Sequence, residues 1–124
     1  WMTKTVSGGS KAFSEPESLA FKGYVEAHNP AAVVAWYSSA GGVFSSNCHN
    51  GVLPEVKTLT NMYAKASGYP ASASYDFYKL TGDMPNWLAK KNIPAISVLL
   101  TNHQDTEWDK NPAGIKALLK YYAK

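Results

Sequence analysis

Two continuous apolar runs limit the folds open to this chain: AAVVAWY at residues 31–37 and IPAISVLLT at residues 93–101. Both are short, rich in β-branched and aromatic residues, and lack the polar alternation of a strand with one wet face. Each therefore reads as a strand buried on both sides, the first as a central one. A sheet buried on both faces needs helices to cover it, and the stretches around the runs carry helical signals.

The first helix follows a glycine-rich opening at residues 5–12. Ser14, Glu15, Pro16 and Glu17 form a capping-box pattern, and Leu19, Phe21, Tyr24 and Val25 mark the apolar face up to His28, Asn29 and Pro30. Residues 38–42 break the first strand, Val43 and Phe44 start a short extended piece, and 45–51 is a polar loop. Pro54 opens a second helix through Val56, Leu59, Met62 and Tyr63, closed by Gly68 and Pro70. Residues 71–82 form a crossover with little helical period. Asp83 then caps a short helix bearing Trp87 and Leu88. After a polar loop at 102–110, Asn111 with Pro112 caps a last helix with Ile115, Leu118, Leu119 and Tyr122 on one stripe. The order predicts an α/β fold with a mostly parallel or mixed sheet flanked by helices. At 124 residues the chain is the size of one domain, spanning 1–124.

Composition excludes several function classes. No apolar run approaches the roughly 20 residues of a membrane helix. The net charge of +3 is spread along the chain, which argues against a nucleic-acid face. All 12 basic residues are lysine, so the guanidinium that grips carboxylates two bonds at a time is absent. Cys48 stands alone and supports neither a disulfide nor a cysteine zinc site. No basic segment followed by an apolar one marks a leader at the start.

Three segments in order resemble the carboxypeptidase A-type zinc metallocarboxypeptidases, in their C-terminal half: Phe13 to Ser18 (FSEPES), Asp76 to Asp83 (DFYKLTGD) with Trp87, and Asn92 to Val98 (NIPAISV). The resemblance implies the corresponding half of that fold and places Tyr78 at the family's mobile, substrate-capping tyrosine. It also places Tyr37, followed by Ser38, where the family has a zinc-binding histidine, and Leu99 where it has the catalytic glutamate. A phenol keeps its proton to about pH 10 and is a poor zinc ligand near neutrality. An alkyl side chain cannot activate water. The family's His-x-x-Glu zinc pair is absent, since His28, His49 and His103 are followed three residues on by Ala31, Val52 and Thr106.

The resemblance therefore implies a catalytically silent, truncated or degenerate carboxypeptidase-like domain with no catalytic or metal-binding residue of its own, keeping part of a peptide-binding cleft around Tyr78. No cofactor is expected, zinc only if the family site is completed elsewhere. The alternatives are a portion of an active zinc carboxypeptidase or cell-wall peptidase that needs an N-terminal segment, and a self-associating module that pairs the open edge of the 31–37 strand. The expected partners are a peptide or cell-wall peptide, a second copy, or an N-terminal partner segment. The family points to secretion or the cell envelope.

Other constellations have plainer readings. His103, Asp105 and Glu107 suggest a metal site, but a polar loop of this kind is expected to be solvated. Cys48 beside His49 lacks an orienting third group. Ser38 and Ser39 before Gly41 and Gly42 lack the nucleophile-elbow pattern and read as a strand-end turn. Trp36, Tyr37, Phe44, Tyr75, Phe77, Tyr78 and Trp87 line a cleft or fill the core. Core burial is the expectation for the set, Tyr78 excepted.

Overall fold

The computed structural model describes residues 9–48, 51–78, 80 and 82–123. They fall into two compact units divided between Pro30 and Ala31. The first holds α1 (Pro16–His28), with proline in its first turn and Asn29 in the left-handed conformation at its end, where the Asn29 N–H donates to the Val25 carbonyl at 2.8 Å. The capping box does not form. The cap position is Glu15, and the Ser14 hydroxyl donates to the neighbouring Glu15 carboxylate at 2.7 Å instead of receiving the Glu17 amide.

The second unit contains β1 (Val33–Ser38), β2 (Gly42–Ser45), α2 (Pro54–Ser67), β3 (Ala71–Ser72), α3 (Met84–Lys90), β4 (Ala95–Leu100) and α4 (Asn111–Tyr122). The strand order is β1-β4-β2-β3. β4, expected as a strand buried on both faces, is the central one. β1 lies at one edge instead of the centre. β1 runs parallel to β4, with Tyr37 opposite Leu99 and Ala35 opposite Ser97, whereas β2 runs antiparallel to β4 with Phe44 opposite Ser97.

Chain length explains the mixed sheet. Only residues 39–41 separate β1 from β2, far fewer than a parallel crossover requires, so the chain steps over the end of β4 and returns in the opposite direction. The amides of Ala40 and Gly41 both donate to the Leu100 carbonyl as it passes, and Gly41 has φ +65°. β3 falls in the stretch expected to be irregular and is only two residues long.

Register divides the side chains between two faces. Val43, Ile96 and Val98 pack with Val56, Leu59 and Tyr63 of α2 and Leu118 of α4, which makes the main core. Trp36 belongs to this side, its indole N–H donating to the Tyr63 hydroxyl at 3.2 Å. Phe44, Ser97, Leu99 and Tyr37 point to the opposite face. α4 begins at Asn111 itself, which does not cap it: its side-chain amide donates to the Thr106 carbonyl, and its side-chain oxygen accepts from the buried Tyr63 hydroxyl at 2.8 Å. Gly68 ends α2 at φ +81° as its position after Ser67 suggests.

Candidate ligand-binding cleft

The face opposite the main core carries a cavity of about 660 Å³. One wall is the start of α3. There Asp83 caps the helix as expected, its carboxylate accepting from the Asn86 amide at 2.9 Å, and Pro85 fits the first turn because its missing N–H is not needed there. The Asn86 side chain in turn accepts from the Asn47 amide at 2.7 Å, tying α3 to the segment leaving β2. Ser97 and Phe44 supply the sheet side.

The rim is aromatic. Phe44, Tyr75, Phe77 and Tyr78 meet edge to face, with centroids 5.4 Å apart for Phe44–Tyr75, 5.1 Å for Tyr75–Phe77 and 5.2 Å for Tyr75–Tyr78. This is the packing that ring quadrupoles prefer. Burial and the hydrogen bond to Tyr78 push the Tyr75 hydroxyl up to about 12, so it stays protonated and neutral. Tyr78 is 55% exposed and lines the cavity from the outside, in reach of whatever enters. The aromatic set is not the core that sequence favours: of its seven members only Phe44 is buried, and Trp36, Tyr37, Phe77 and Tyr78 are exposed.

Among the described residues lining the cavity, the charged groups are Asp76 and Asp83, with no lysine. Burial raises the Asp83 carboxyl above its usual range, opposed by the Asn86 amide. Ser46, 2% exposed, also lines the cavity, and its hydroxyl has no hydrogen-bond partner among the described residues. Aromatic edges, two carboxylates and an unsatisfied hydroxyl suit a ligand that combines apolar bulk with positively charged or hydrogen-bonding groups.

Tyr37 and Leu99 are register partners on this same face, two residues beyond the Ala35–Ser97 pair toward the end of the strands. Burial raises the Tyr37 hydroxyl, and the charge of Asp83 raises it further, away from the phenolate that a metal would need. Leu99 is buried and offers no donor atom. These two positions do not suit a zinc ion. No group of three His, Cys, Asp or Glu side chains among the described residues lies close enough to hold a metal.

The loop after β4 differs from its expected solvated state. Glu107 is buried, and its carboxylate accepts from the Thr101 amide at 2.7 Å, the Tyr69 hydroxyl at 2.8 Å, the Thr101 hydroxyl at 3.0 Å and the Lys110 ammonium. Burial alone would raise its carboxyl, but these four donors outweigh it and hold the value at about 2. His103 turns away from Glu107 toward β1: its Nδ1 lies 2.7 Å from the Ser38 hydroxyl and its Nε2 3.4 Å from that of Ser39. Sequence reading kept these serines and this histidine apart, and a separation of 65 positions gives no local signal. Cys48 lines the cavity; its neighbour His49 lies outside the described residues.

No family model matches the sequence, and no curated protein does. A solved structure does match in fold: murein-tripeptide amidase MpaA from Escherichia coli O157, with a TM-score of 0.67 and 21% sequence identity. What the two share is the fold. The match covers 91% of this chain and 43% of that one, so the chain spans less than half the length of the amidase. The mixed sheet flanked by helices thus agrees with the carboxypeptidase-like arrangement that the sequence resemblance implies.

Proposed function

We propose that this chain is a carboxypeptidase-like domain that binds a peptide in its cleft without hydrolysing it. The observation that carries the reading is the cleft: a cavity of about 660 Å³ rimmed by a ladder of rings ending at Tyr78, on the sheet face that also holds Tyr37 and Leu99. Binding is supported by a concave wall that joins the rings of Phe44, Tyr75 and Tyr78 to convergent polar groups. Silence is supported by the chemistry of the two side chains where the family resemblance expects a zinc ligand and a general base. A protonated phenol and an alkyl group neither hold the metal nor take a proton from water. Asp76 and Asp83 favour peptides carrying ammonium groups, and the amidase of similar fold makes a murein tripeptide the first to try.

Calorimetric titration with a murein tripeptide, beside zinc analysis and assays on C-terminally blocked and unblocked peptides, tests this. Saturable binding that weakens about tenfold in Tyr78→Ala, without cleavage, is the expected result, since removing one well-packed ring costs on the order of 1 kcal/mol. Stoichiometric tightly held zinc with cleavage of the unblocked peptide alone would overturn it in favour of a portion of an active zinc carboxypeptidase.

A further inference from the structure

Outside the cleft, the end of β1 and the loop after β4 assemble a group that the peptide-binding reading does not use. Ser38, His103 and Ser39 are all exposed, and none of them lines the cavity. A neutral imidazole has one N–H and one lone pair, so its two hydroxyl neighbours take opposite roles. The 2.7 Å contact has the length of an O–H donating to nitrogen, from Ser38 to Nδ1, and leaves Nε2–H to donate toward Ser39 at 3.4 Å. In this tautomer the lone pair of Nδ1 faces the Ser38 proton and the Nε2–H faces Ser39. This is the arrangement of a nucleophile, a base and an orienting group.

Both sides of the contact are held by backbone. The Asn102 side-chain oxygen accepts from the amides of Gln104 and Asp105 at 2.8 and 2.7 Å, bracketing His103, and Glu107 anchors the far end of the same loop. On the serine side, the Ala40 and Gly41 amides are bonded to the Leu100 carbonyl. The pair is therefore set before any reactant arrives, which is where proximity gains its effect.

We infer that Ser38 is an acyl acceptor activated by His103, reactive toward activated acyl donors such as aryl esters and thioesters. Ser38 Oγ attacks the donor's carbonyl carbon as Nδ1 takes the hydroxyl proton. The carbon–oxygen or carbon–sulfur bond to the leaving group then breaks, and the leaving group departs with that proton from the imidazolium. The acyl group remains as an ester on Ser38. The Ala40 and Gly41 amides are already engaged and offer nothing to a developing oxyanion, so the reaction needs a good leaving group and stops at one acylation per chain.

The test is incubation with p-nitrophenyl acetate, following p-nitrophenolate release and mapping acetyl groups by peptide mass spectrometry. The expected outcome is acetyl on Ser38, with that site acetylated about 100-fold more slowly in His103→Asn, the lower end of what a positioned base contributes. Ser39→Ala should slow it as well, because the Nε2–H then loses its acceptor, and Ser38→Ala should abolish it. Circular dichroism should be unchanged in all three variants because the side chains are exposed. Acetylation confined to lysine or tyrosine, or a Ser38 rate equal in wild type and His103→Asn, overturns the inference. Neither result depends on the cleft binding a peptide.

Discussion

Glu107 shows how one side chain can organise a loop. Its carboxylate joins Tyr69 after α2, Thr101 at the end of β4 and Lys110 before α4, and the Lys110 ammonium also sits 5.1 Å from the Tyr69 ring centre. Glu107→Gln keeps the shape but removes the charge that makes these bonds strong, and should lower stability by about 2–3 kcal/mol in urea denaturation. The pH dependence has a definite sign. The folded value of about 2 lies below the ordinary 4.5, so the network's contribution is complete above about pH 4.5 and is lost as pH falls toward 2. Stability measured across that window should fall less steeply in Glu107→Gln than in the wild type. Little of this was legible in the sequence, where Glu107 looks like one polar residue among many. Its burial follows from donors as far away as Tyr69, 38 positions back, and no local pattern records them. Asp83 was legible because a cap acts on the amide three residues on, whereas the substrate-capping place of Tyr78 comes from the resemblance alone.

At the scale of elements, the α2–α4 contact depends on the absence of a side chain. A Cβ at Gly114 would stand 2.5 Å from the ring of Tyr63, which is fully buried and hydrogen-bonded to both Trp36 and Asn111. Gly114→Ala gains about 1 kcal/mol of helix propensity but forces the helices apart. We expect a net loss of about 1–3 kcal/mol and a lower melting temperature by calorimetry. Helix starts at Pro16 and Pro54 and the stop at Gly68 were readable, because proline and glycine act through their own backbone. The capping box at Ser14 and the cap at Asn111 were not. Each side chain had a competing partner: for Ser14 the adjacent carboxylate, for Asn111 a tyrosine hydroxyl 48 positions away. The same logic hid β3, whose two residues owe their pairing to Val43 and Phe44 and not to any pattern of their own.

For the molecule as a whole, the fold class was legible in the two apolar runs, while strand order was not, since both runs read alike. The run expected to be central became an edge. The Val33 amide donates inward to the Pro94 carbonyl at 2.9 Å, so by alternation the backbone groups of Val34 and Trp36 point away from β4, with no partner strand among the described residues. Such an edge invites pairing. We expect concentration-dependent dimerisation in sedimentation velocity, and a single monomeric species at high concentration would count against it.

The central position of β4 has a consequence for how the protein is made. β1 and β2 are made before β4 and do not pair with each other; both pair with β4, which begins at Ala95. Until then β1 has no partner among the described strands and β2 has only the two-residue β3, a state in which growing polypeptides are exposed to aggregation. The sheet can close only once β4 has been made, and closure then comes from both sides of that strand.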